Sequence, residues 1–123
     1  MRDRVKDNIV RTKSFSFAIR IVKLYKFLIG KNSEFVLSKQ LLRSGTAIGA
    51  MIREADFAES RADFIHKTAI AQKECNETLY WLELLYETDY ITQTQYDSIN
   101  QNAVELMKLI TSIIKTAKAN NHK

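Results

Sequence analysis

The sequence predicts an all-α protein, an up-down-up-down bundle of four helices. Three observations lead there. The 123 residues include no proline and only three glycines, and turns are built largely from those residue types. Apolar residues recur at helical spacing along most of the chain. The interruptions between periodic segments are short, which makes consecutive helices antiparallel neighbours. The length suits one domain with its own core, so residues 1–123 read as a single unit with no linker or internal repeat.

The first helix is expected over about residues 14–30, with Ala18, Ile21, Val22, Tyr25, Leu28 and Ile29 on one side and Gly30-Lys31-Asn32 as its stop. The second, over about 34–58, has Ser33 as its expected N-cap and Leu37, Leu41, Ile48, Ile52 and Ala55 as its stripe. The third, over about 61–89, starts behind Ser60-Arg-Ala-Asp63, which reads as a capping box. Its stripe is Phe64, Ala71, Cys75, Leu79, Leu82 and Tyr86, and Asp89-Tyr-Ile91 forms the exit loop. The fourth, over about 93–118, follows a stronger box, Thr92-Gln-Thr-Gln95. It buries Tyr96, Ile99, Ala103, Leu106, Ile110, Ile113 and Ala117.

Gly45 and Gly49 interrupt the second helix. Each is expected to lose about 1 kcal/mol of helix propensity relative to alanine. Both fall on its inner half with Ser44, Ile48 and Ile52, so the expected compensation is close approach of another helix. A different row, Arg43, Ala47, Ala50 and Glu54, lies on the outside, small in the middle and oppositely charged at its ends. Its ends are about 16 Å apart along the axis, too far to pair with each other. The row suits docking of another helix or subunit. If Arg43 is buried and paired there, truncating it costs about 3 kcal/mol.

Here the residues suggest a family. "SKQLLRSGTAIGAMIREA" and "SRADFIHKTAIAQKECNETLYWLELL" resemble the bacterial four-helix bundle proteins named for intervening sequences in 23S ribosomal RNA genes. The resemblance runs from about Phe15 to Lys118 and is most specific at Leu42-Arg43-Ser44-Gly45-Thr46, Ile48-Gly49-Ala50, Ile52 and Glu54-Ala55. A second match is Ala62-Asp63-Phe64 with Lys73-Glu74, Glu77-Thr78 and Trp81-Leu82. The chain departs from the family pattern at Ala47, Met51 and Arg53, where serine, asparagine and an acidic residue are common. The resemblance implies a bundle assembled as a ring-like homopentamer. The accessory proteins of diversity-generating retroelements look similar and engage nucleic acid with such a basic ring.

No reaction chemistry is apparent. Glu-x-x-His pairs of a carboxylate-bridged metal bundle are missing, and Asp63-x-x-His66 alone reads as a first-turn contact. Cys75 falls on a core stripe, away from any base that could activate it. His122 lies in the tail, and there is no phosphate-binding glycine loop. We therefore expect no enzyme, no catalytic residue, no cofactor and no metal. The single cysteine rules out an intrachain disulfide. Without an apolar leader or an apolar span, a bacterial cytoplasmic setting with no membrane partner is expected.

Charge and surplus apolar residues point to interaction. The chain carries +5 overall, with +7 on residues 1–31 and −4 on residues 59–91. Arg11, Lys13, Arg20, Lys23 and Lys31 are the expected contacts to RNA or DNA. Phe27 lies among the last three, and with Leu24 and Phe17 it extends an outer surface that could stack a base or pack on another subunit. Ile70, Trp81 and Leu84 lie opposite the core stripe of the third helix and suit a subunit interface. The leading expectation is an oligomeric bundle that binds nucleic acid. The alternative is an assembly adaptor with a protein partner and no nucleic-acid role.

Overall fold

The structure, a computed structural model, describes residues 4–120. It contains four helices: α1 (Arg4–Lys31), α2 (Leu37–Asp56), α3 (Arg61–Glu87) and α4 (Gln93–Asn120). No strand occurs among the described residues. Each helix packs on its neighbours in sequence, and α4 returns to close against α1. This is the all-α, up-down-up-down bundle that the periodicity predicts.

The largest difference from expectation is in α1, which begins at Arg4 instead of near Ser14. Its buried face is Val10, Ser14, Phe17, Ile21 and Leu28. Phe17 is therefore core, not outer surface, while Ala18, Val22, Tyr25 and Ile29 are only half-buried. The physical reason is that α1 carries large apolar residues on nearly every side. Val5, Ile9, Phe15 and Ile19 remain exposed. Period alone cannot select the inward face of such a helix.

The turn into α2 also differs. Ser33 adopts a left-handed backbone with φ 52° and does not cap the helix. The capping group is the Glu34 carboxylate, which accepts from the backbone N–H groups of Val36 at 3.1 Å, Leu37 at 2.9 Å and Ser38 at 2.6 Å. The helix thus starts later than expected, at Leu37, and ends at Asp56. Of the two other starts, α4 forms the full box, while α3 has the Ser60 cap with the Asp63 carboxylate returning to the Glu59 N–H instead of to Ser60. Ser60 Oγ accepts from the Asp63 N–H at 3.0 Å. Thr92 and Gln95 bond reciprocally, at 2.8 and 3.1 Å. Helix α3 stops at Glu87 because Asp89, at φ 67°, turns the chain left-handed. Tyr90 N–H then reaches the Leu85 carbonyl at 2.9 Å and Asp89 N–H the Tyr86 carbonyl at 3.1 Å, the Schellman pattern. Asn32 Nδ2 donates to the Tyr90 carbonyl at 2.9 Å, tying the two turns at that end together.

The glycines of α2 mark the approach to α1. A Cβ at Gly45 would lie 2.7 Å from Ile21 Cγ1 and 2.9 Å from its Cγ2. At Gly49 the nearest atom is the Ser14 carbonyl oxygen of α1, at 3.4 Å. Both residues admit α1, Gly45 to a buried side chain and Gly49 to backbone.

A candidate nucleic-acid interface along the α1–α4 seam

The α1–α4 seam is the most open of the four helix contacts and is bridged by polar groups. Lys6 Nζ donates to Ser112 Oγ at 2.6 Å. Lys13 Nζ meets Glu105 Oε1 at 3.0 Å. Arg20 donates to the Ser98 carbonyl at 3.3 Å, to Ser98 Oγ at 3.0 Å and to Asn102 Oδ1. Each step of seven residues up α1 answers a step of seven down α4. Two antiparallel helices keep facing residues in register at that interval. At the next step, Phe27 and Ile91 line the same groove.

The five cations expected to meet nucleic acid separate on this frame. Arg11 turns to the α2 side and pairs with Asp56 at 2.8 Å. Lys13 lies on the seam, beside the carboxylate of Glu105. Arg20 is held only by neutral oxygens, so its full charge remains available, and Lys23 lies beside it on the groove wall. Lys31 is exposed at the end of α1. Phe27 is half-buried against the core and lines the groove. Lys6, Ser98 and Asn102 were not singled out from sequence. The interval Lys6, Lys13, Arg20 was a legible signal for the first, but nothing local in α4 marks the other two.

Of the expected subunit-contact residues, Arg43 and Glu54 pair with α3 of their own chain. Arg43 is ion-paired with Glu77 and with Glu74 at 3.3 Å. Hydrogen bonding from Arg43, and then from Trp81, holds the Glu77 carboxyl below the usual carboxylate range. Trp81 Nε1 donates to Glu77 at 3.2 Å, and the indole packs half-buried on the core. Glu54 lies 3.9 Å from Lys67. Ile70, Leu84 and Ala47 are half-buried, and Ala50 is exposed. The row on α2 therefore has its charged ends satisfied by α3. Half of the Arg43 side chain is exposed, so the large cost expected for a buried pair does not apply. Arg43→Ala is expected to lower stability by less than about 1 kcal/mol, read by urea denaturation. A loss of about 3 kcal/mol would show that burial of the pair dominates.

Beneath this pair, Thr78 Oγ1 and Ser44 Oγ lie 2.9 Å apart, fully buried between the helices. Cys75 is also fully buried, its thiol directed at the Ala103 carbonyl at 3.3 Å. Burial pushes that thiol up to about 12, which holds it protonated and poorly nucleophilic. Asp63 accepts from the Glu59 N–H at 3.1 Å and pairs with Lys67 at 3.7 Å, while His66 is exposed. Among the described residues no three His, Cys, Asp or Glu side chains gather as a metal site would need, and no helix is long and apolar enough to cross a membrane. His122 lies outside the described residues.

Comparison with known proteins decides the relationship. The model of the 23S rRNA-intervening sequence protein family matches residues 6–112. The chain belongs to that family. It is similar to a crystal structure of a protein of unknown function from the S23 ribosomal protein family of Bacteroides thetaiotaomicron. The two share 64% sequence identity and a TM-score of 0.89, over 89% of this chain and 98% of that one. No curated protein sequence matches. In this member of the 23S rRNA-intervening sequence protein family, the two most recognisable stretches of sequence face each other. Arg43 with Glu74 and Glu77, and Ser44 with Thr78, join α2 to α3, while Gly45 admits α1. Those residues build the bundle, whereas on the α1–α4 seam Lys13 is paired with Glu105 and Arg20 is bonded to neutral oxygens only. Arg53, a departure from the family pattern, lies 5.2 Å above the exposed Phe15 ring, a cation–π contact across α1 and α2.

Proposed function

We propose that this chain is a non-enzymatic, oligomeric helical bundle of the bacterial cytoplasm that binds RNA or DNA through the α4-facing side of α1. The observation that supports the reading most is Arg20. Its guanidinium is fixed across the seam by neutral acceptors alone, with Lys23 beside it. A cation positioned without a carboxylate partner suits a phosphate, and positioning before binding reduces the ordering lost on association. Assembly as a homopentamer, on the likeness to the accessory proteins of diversity-generating retroelements, multiplies the patch and raises avidity. The exposed apolar residues of α1, Ile9, Phe15 and Ile19, suit a contact with a second copy better than the half-buried Trp81 and Ile70 do.

Fluorescence anisotropy with a labelled ribosomal RNA fragment tests the binding. Affinity is expected to fall about tenfold or more between about 50 and 200 mM salt, and the Arg20→Gln, Lys23→Gln double variant is expected to flatten that dependence. Light scattering on the same sample reads the assembly. No binding at the lower salt by an intact oligomer overturns the nucleic-acid reading. The adaptor reading then gains, supported by Phe57, 88% exposed at the end of α2, as a contact for a protein partner.

A further inference from the structure

Toward the turns that Asn32 joins, a groove of about 560 Å³ lies between α1 and the start of α4. That is within the range of about 300–1,000 Å³ typical of small-ligand sites. Its walls are of two kinds. Arg20 and Lys23 bring positive charge, and no carboxylate lines the groove. Leu24, Phe27, Ile91 and Ile99 make an apolar floor. Lys23 and Phe27 are four residues apart on α1, which puts their Cβ atoms about 5–6 Å from each other on one helix surface. Polar atoms stand on the rim. Gln95 uses its Oε1 for the α4 cap, which leaves its amide Nε2 to bond elsewhere.

A site of this make-up asks for one ligand with an anionic end and a flat apolar end a few ångströms away. Free phosphate would leave the floor uncovered. A base paired and stacked inside a duplex cannot present its face to Phe27, whereas an unpaired base can. We propose that the groove seats one nucleotide of a single strand, its phosphate on Arg20 and Lys23 and its base on Phe27. This rests on the nucleic-acid reading above and adds to it the form of the ligand, unpaired and base-bearing.

The test compares three labelled 12-nucleotide probes by anisotropy at about 50 mM salt: a single-stranded RNA, a base-free phosphodiester strand of equal charge, and a duplex. The single strand is expected to bind about fivefold or more tighter than the base-free strand. Phe27→Leu, which keeps an apolar wall, is expected to remove that preference without changing binding of the base-free strand. Arg20→Gln is expected to weaken both strands and lower the salt slope by about one. Equal binding of the base-free strand by the native protein overturns the groove inference and leaves the charge-driven reading intact. No binding of any probe overturns both. Photo-crosslinking of a 4-thiouridine strand to the native protein decides independently of any variant. Adducts on the peptide that holds Phe27, or on the first turns of α4, support the inference, and adducts confined to other surfaces overturn it.

Discussion

Replacing Gly45 with alanine is expected to destabilise the bundle by about 1–3 kcal/mol, although alanine is the better helix former by about 1 kcal/mol. The new methyl would lie 2.7–3.0 Å from three atoms of Ile21, two of them attached directly to its Cβ. Ile21 is fully buried, and its branched side chain has few alternative rotamers inside a helix. The strain must therefore move α1 or distort a side chain. Gly49→Ala is expected to do the reverse. Its Cβ would meet the Ser14 backbone no closer than 3.4 Å, so the propensity gain of about 0.5–1 kcal/mol survives. Urea denaturation of the two variants reads the contrast in sign. A further check uses the Ile21→Ala background, which lacks all three clashing atoms. There Gly45→Ala is expected to become neutral or stabilising, and a persistent penalty would show that Ile21 is not the obstacle.

Glu34→Ala is expected to cost about 2 kcal/mol, the upper end for a helix cap. Most caps satisfy one backbone donor, whereas this carboxylate receives three, and it is buried with Ser38. Loss of the group leaves N–H groups of the first turn of α2 without their acceptor. The effect depends on pH. Burial, the largest influence on this carboxyl, pushes it upward. The N–H bonds from Leu37, Ser38 and Val36 together outweigh burial and hold it below its ordinary value of 4.5. A group depressed in the folded state stabilises fully above its unfolded value and loses that contribution as pH falls through its folded value. The stability difference between wild type and Glu34→Gln is therefore expected to be constant near neutrality and to shrink only below about pH 4.5. A difference that stays constant down to pH 2 would remove the carboxylate from the account.

The sequence carried the bundle, and the reason is visible in α2 and α4. Apart from half-buried Leu37 and Tyr96, every apolar residue assigned to their stripes is buried. Those helices are polar on one side, so the period selects a face. In α1 it does not, because Ile9, Phe15 and Ile19 outside match Val10, Phe17 and Ile21 inside in kind. The cap of α2 was misplaced for a local reason, since serine is the usual capping type and a glutamate reaching three N–H groups has no short-range signature. The site was half legible. Basic residues on α1 could be counted, but whether each was already paired depended on Asp56, Glu105, Ser98 and Asn102, all remote in sequence. The same holds for Arg43, whose spacing suggested a surface waiting for a partner until α3 supplied one.

The open seam also bears on how the chain folds. Three of the four helix contacts join consecutive helices, and only α1 with α4 requires the whole chain to close on itself. Loop closure is an entropic charge that long-range contacts must repay, and here the contact that closes the longest loop is the one with least packing. The α1–α4 contact is thus expected to form last and part first. Native-state hydrogen exchange would register that hierarchy as slow amides in α2 and α3 and a shared faster opening where Lys6, Lys13 and Arg20 cross to α4.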